Sequence, residues 1–237
     1  MQAAQRKISK KELKEDQLIT FFYKSRAFLQ KNGKVVSYVV VGAIAIAIIV
    51  VLMIKSRAQS NVIAGSELFQ AQLQLNMNDN QGAVNKLNAL IETYPGTKNA
   101  SEAKIILAKT YFKMANFDSS YYFANEFLKR HAGDPILSSA AYSLKAASLE
   151  EKGEFEKAAE TYLEGANRFP KNFTAPTFLI DAGRCFYLAG EMERAISCYE
   201  RLIDEYPESN LVQRANQQLV RAGGTERDVT NGMKFLP

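Results

Sequence analysis

Few residues in this chain are suited to chemistry. Its 237 residues include one histidine, His131, and two cysteines, Cys185 and Cys198. A thiol needs a neighbouring base to act as a nucleophile, and a metal site needs a cluster of Cys, His and carboxylate ligands. One imidazole and two thiols thirteen residues apart supply neither pattern. The cysteines read as small core or surface residues, with a disulfide between neighbouring helices as the alternative. His131 falls at a helix end, where it favours the helix dipole. There is no nucleophile elbow, phosphate loop or paired metal ligand set. The expectation is therefore no enzyme, no catalytic residue, no cofactor and no metal. The acidic run Glu150, Glu151, Glu154 and Glu156 reads as a solvated face.

With so little chemistry to position, the elements themselves become informative. Residues 35–54 read VVSYVVVGAIAIAIIVVLMI, twenty residues without a charge. As a helix rising about 1.5 Å per residue they span roughly 30 Å, the thickness of a bilayer core. Thirteen of the twenty are Val, Ile or Leu. At roughly −0.5 kcal/mol each, they favour insertion by about 6 kcal/mol. A cleaved signal peptide would have a shorter apolar region and a shorter basic lead, so a retained transmembrane helix is expected.

The net charge of +5 hides an asymmetry. Residues 1–57 hold 11 Lys and Arg against Glu12, Glu15 and Asp16, which leaves the rest near −3. The basic charge flanks an apolar span, so it suits anionic lipid better than nucleic acid. Lys24, Arg26, Lys31 and Lys34 precede the span, and only Lys55 and Arg57 follow it closely. The positive-inside rule then predicts a cytoplasmic N-terminus, with the remainder extracytoplasmic, periplasmic in a bacterium. Leu18, Phe21, Phe22, Phe28 and Leu29 lie near helical spacing with Lys24, Arg26 and Lys31 between them. This pattern predicts an amphipathic helix on the membrane face or docked on a partner.

Beyond residue 60 the chain repeats. Pro95, Ala132, Pro170 and Pro207 hold equivalent places at the ends of four apolar stretches. Twelve residues before each stand Ala83, Ser120, Ala158 and Ala195, and twelve before those Ala71, Ala108, Ala146 and Gly183. All eight are small. Small residues let two helices approach closely, and proline stops the second helix. This pattern resembles the tetratricopeptide repeat family over about residues 62–209. Unit spacing is 37 to 38 residues rather than the family's usual value of about 34. Residues 211–224 (LVQRANQQLVRAGG) fit a capping helix.

The tetratricopeptide resemblance implies protein binding on fixed positions of the first helix of each unit. Carried onto this sequence these are Gln72, Ile105, Lys109, Phe112, Ser143, Ala147, Ile180, Arg184 and Tyr187. Residues 15–60, with Phe28, Asn32, Gly33 and Lys34 before the span, look like the start of the ancillary SecYEG translocon subunit (YfgM-type) family. That resemblance implies a chaperone-like scaffold whose partners are translocon subunits, a periplasmic chaperone and exported polypeptides. The YPGT and YPES unit endings also resemble the repeat lipoproteins of outer-membrane protein assembly, which implies an envelope-assembly scaffold instead.

The expected architecture is all-α. A basic cytoplasmic segment (1–34) leads into a transmembrane helix (35–54) and a linker (55–61). A tetratricopeptide α-solenoid of about four helix hairpins plus a C-terminal capping helix follows (62–222), then a flexible tail (223–237).

Overall fold

The computed structural model describes residues 10–131 and 133–227. The basic leader before Lys10, Ala132 and the tail beyond Arg227 lie outside the described residues, as do the side chains of Leu18, Phe22 and His131. The chain divides into two compact units, Met1–Ala58 and Gln59–Pro237.

The first unit is helical. Helix α1 spans Lys10–Asn76, with a single non-helical residue inside it at Asn32 (φ −117°, ψ 22°). The break falls at the Asn32-Gly33 pair that separates the aromatic stretch from the apolar span. Among the described residues this helix alone is long and apolar enough to cross a membrane, and none of its most apolar stretch is buried against protein. A core helix of a soluble domain would be covered. Residues 55–61 (KSRAQSN), expected as a linker, contain neither Gly nor Pro and are helical, and the boundary between the two units falls among them.

The second unit is four antiparallel helix pairs and a cap. The end of α1 pairs with α2 (Asn80–Thr93). The pairs α3 (Lys98–Lys113) with α4 (Phe117–His131), α5 (Pro135–Glu151) with α6 (Phe155–Arg168), and α7 (Ala175–Leu188) with α8 (Met192–Glu205) follow. Helix α9 (Val212–Arg221) closes the array. The small residues twelve apart sit where the helices meet. Ala71, Ala83, Ala108, Ser120, Ala146, Ala158 and Ala195 are wholly buried. At Gly183 a Cβ would lie 2.5 Å from the Tyr199 ring, so only glycine fits there.

Local chemistry sets both kinds of turn. Between the helices of each pair one residue takes the left-handed conformation: Asn78, Ala115, Gly153 and Gly190. Between pairs, Tyr94, Phe169 and Tyr206 leave the helical region immediately before Pro95, Pro170 and Pro207. Proline disfavours the α conformation in its predecessor, so these helices stop there. Hydrogen bonds tie each of these junctions to a residue about one unit back in the chain. Asn99 Nδ2 donates to the Asn61 carbonyl (2.7 Å), Asn172 Nδ2 to the Pro135 carbonyl (3.1 Å), and the Tyr206 hydroxyl to the Pro170 carbonyl (2.7 Å).

The core is thickest at the C-terminal end. Tyr142, Phe178, Phe186, Tyr199, Leu202 and Leu219 belong to one buried cluster reaching from α5 to α9. Gly223 ends α9 with φ +92°, and the Gly224 N–H donates to the Leu219 carbonyl (2.9 Å). The chain expected to become a tail here is tied back first. Asn216 and the Arg227 backbone exchange two hydrogen bonds, and the Arg227 guanidinium reaches Glu200 and Asp204.

Candidate functional site

The nine positions expected to line a binding surface all fall on the first helices of the pairs. Gln72 is on α1; Ile105, Lys109 and Phe112 on α3; Ser143 and Ala147 on α5; Ile180, Arg184 and Tyr187 on α7. Their exposure divides them. Lys109 and Tyr187 are exposed, and Gln72, Phe112, Ser143, Ala147 and Arg184 are half-buried. Ile105 and Ile180 are only 8% and 4% exposed. Ile105 clusters with Phe127 and Ala141, and Ile180 belongs to the large C-terminal cluster, so both fill the core and offer a partner little surface. Phe112 meets the Phe117 ring edge-on at 5.4 Å, across the turn into α4.

Arg184 has a partner that the sequence did not suggest. Its Nη2 donates to Glu150 Oε2 at 2.8 Å, and Nη1 donates to Oε1 of the same carboxylate. This planar, two-point pairing holds α7 against α5. Glu150 is thus not part of a solvated face: it is half-buried, and the guanidinium beside it holds its carboxyl below the usual range. Asp181, one turn before Arg184, is shifted the other way because burial disfavours its charge. Two others of the acidic run also pair. Glu154 takes Lys152 and Lys157, and Glu156 takes Arg194 from α8. Residues one unit apart are hard to match by eye, and the 34-residue separation of Glu150 and Arg184 is the signal that would have found them.

The thiols are free and buried. Burial pushes Cys185 up to about 12 and Cys198 up to about 11, so neither is poised as a nucleophile. Among the described residues no group of three or more His, Cys, Asp or Glu could hold a metal ion. What the first-helix layer offers is a surface of alternating aromatic, small and charged side chains on a stack of rigid helices.

Paired helices, small residues at the crossings and this layered surface define a tetratricopeptide-type repeat protein. The sequence model of the YfiO family, described as outer membrane lipoprotein, matches residues 64–223, and the chain belongs to that family. Solved structures agree on the fold. A MamA protein crystal structure is 17% identical with a TM-score of 0.54, over 75% of this chain and 90% of that one. MamA 41-end from Desulfovibrio magneticus RS-1 is 14% identical with a TM-score of 0.51, over 68% and 89%. The tetratricopeptide-like repeats of a Podosopora anserina putative kinesin light chain are 14% identical with a TM-score of 0.53, over 66% and 83%. At these identities the likeness is one of fold. Comparison with curated proteins returns no match.

Proposed function

We propose that this protein is a membrane-anchored, non-catalytic scaffold of the cell envelope that binds other proteins on the first-helix layer of its repeats. The observation that carries the reading is the pairing of one uncovered apolar helix with a repeat array whose exposed layer is rigid and chemically mixed. The N-terminus is cytoplasmic and the repeats lie across the membrane, as the Lys and Arg before the span favour. The whole of residues 20–34 then sits beside the cytoplasmic leaflet, with Phe21, Tyr23 and Phe28 exposed for lipid or a partner.

Two finer roles follow. The approach to the span, Phe28 and Asn32-Gly33-Lys34, favours an accessory at the Sec translocon that receives exported polypeptides together with a periplasmic chaperone. The family match over the repeats favours a scaffold in outer-membrane protein assembly. In that second role the apolar helix anchors the repeats to the membrane.

Purification of the full-length protein from solubilised membranes, in parallel with residues 1–60 alone, tests both. Recovery of translocon subunits with both forms supports the first role. Recovery of outer-membrane assembly components with the full chain only supports the second. Loss of every specific partner from the full chain contradicts the scaffold itself.

A further inference from the structure

The stretch before the apolar span presents large apolar side chains to its surroundings. Phe21 is 70% exposed, Phe28 60% and Leu29 50%. In the sequence, Leu18, Phe21, Phe22, Ser25, Phe28 and Leu29 follow the i, i+3, i+4, i+7 spacing of one helix face. That stripe takes up about a third of the helix circumference. Ser25 interrupts it, and Ile19 and Tyr23 fall outside it. Lys24 and Lys31 border the stripe on one side and Arg26 on the other, and all three are exposed. Upstream, Lys10, Lys11 and Lys14 are matched by Glu12, Glu15 and Asp16. From Gln17 to Ser66 there is no acidic residue.

A joint separates this stripe from the span. Two helices meet in a kink at Asn32, whose backbone (φ −117°, ψ 22°) leaves the helical region. Gly33 follows it. A Cβ there would meet nothing within 4 Å, so close packing does not call for glycine at this position. What glycine supplies instead is backbone freedom, and beside asparagine it weakens the helix locally. Length makes the joint matter. A straight helix standing upright in the bilayer would carry Phe21 about 20 Å beyond Val35, out of reach of the interface. A bend at Asn32 lets the same residues lie along the surface.

We infer that residues 18–31 form an interfacial helix, hinged at Asn32-Gly33, that lies in the leaflet on the N-terminal side of the span. Phe21, Phe28 and Leu29 enter the boundary between headgroups and acyl chains, and Lys24, Arg26 and Lys31 bind anionic headgroups. Charge and position select lipid as the occupant. The basic residues flank the apolar face on both sides with no acid among them, and the span that follows holds the face at a bilayer. The inference deepens the proposed function and rests on its reading of residues 35–54 as a membrane span.

The chain has no tryptophan, so Phe21→Trp in the full-length protein gives a single reporter on the stripe. Thr20→Trp, the exposed neighbour on the other side of the helix, is the control. Both are reconstituted in phosphatidylcholine vesicles with about 30% phosphatidylglycerol, with and without bromine-labelled acyl chains. Flotation with the vesicles first tests the span, and failure to float overturns the anchor and this inference together. Given flotation, the brominated chains quench the Phe21→Trp emission by about half and the control far less. The quenching falls at least about twofold in pure phosphatidylcholine, and also when Lys24→Gln and Lys31→Gln are added. It falls in an Asn32→Ala, Gly33→Ala background too, where a helix without the joint lifts the stripe from the interface. A Phe21→Trp emission that the brominated lipid does not touch overturns the inference while the anchor stands. If that emission is blue-shifted, protein covers the stripe instead. Equal quenching at the two positions, quenching indifferent to anionic lipid, or quenching unchanged by the straightened joint overturns it as well.

Discussion

At Gly183 two residue-scale effects oppose each other. Alanine in a helix interior is favoured over glycine by roughly 1 kcal/mol. Here the added methyl would press on the Tyr199 ring, which is fully buried with no room to retreat. Overpacking of that kind costs about 1–3 kcal/mol, so the clash wins. Gly183→Ala should lower the melting temperature of the repeats in a calorimetric scan, and an unchanged or raised value contradicts the packing described. Glu150 gives a pH prediction. Its carboxyl is held below its ordinary value of 4.5 by Arg184. A depressed folded value means that the pair adds stability above that ordinary pH and loses it as the pH falls through the folded value. Glu150→Gln should therefore lower the melting temperature at neutral pH and flatten its fall below about pH 5. An acid limb as steep as that of the parent chain would show that the pair does not hold α5 to α7. Neighbouring Asp181 runs the opposite way, since its raised value favours the protonated form, so the variant is measured with Asp181 intact.

At the scale of elements, the turn residues carry the register. Asn78, Gly153 and Gly190 tolerate a positive φ, but Ala115 holds φ +56° with a Cβ present. That conformation costs an L-residue about 1–2 kcal/mol, while glycine loses about 0.5–1 kcal/mol of chain entropy. Ala115→Gly should stabilise the repeats by about 0.5–1 kcal/mol in denaturant unfolding, and a destabilised variant argues against the left-handed turn. The sequence was most legible at this scale. Small residues twelve apart and prolines at unit ends marked eight helices, because close helix crossings and helix stops each demand a residue type. The helical state of KSRAQSN was not read, although its lack of Gly and Pro permits it, because charged and polar residues after an apolar span suit a linker equally well. The Glu150–Arg184 pair was not legible either, because charge pairing across a unit needs the register of the stack. The first-helix face could be listed by position, but only packing revealed that Ile105 and Ile180 belong beneath it.

Across the whole molecule, each helix pair leans on the next, and stability is shared between neighbours. Helix α9 covers the last pair through Val212, Ala215 and Leu219, of which Ala215 and Leu219 are wholly buried. Leu219→Ala should cost about 2–4 kcal/mol. The loss should concentrate in α7–α9, read as faster amide hydrogen exchange there than in α2 and α3. A uniform rise across all pairs would mean that the array unfolds as one block. Under the proposed function the span would confine the array to a membrane surface, and the array would select partners found there.

Site-specific photocrosslinking tests that proposal most directly. A crosslinking amino acid replaces Lys109 or Tyr187, both exposed on the first-helix layer, or Tyr122 or Glu160, both exposed on the second helices. The full-length protein is then irradiated in its own membranes. Reproducible protein adducts are expected from Lys109 and Tyr187, and weak or missing ones from Tyr122 and Glu160. Adducts confined to the second-helix positions, or none from any of the four, would contradict the proposal.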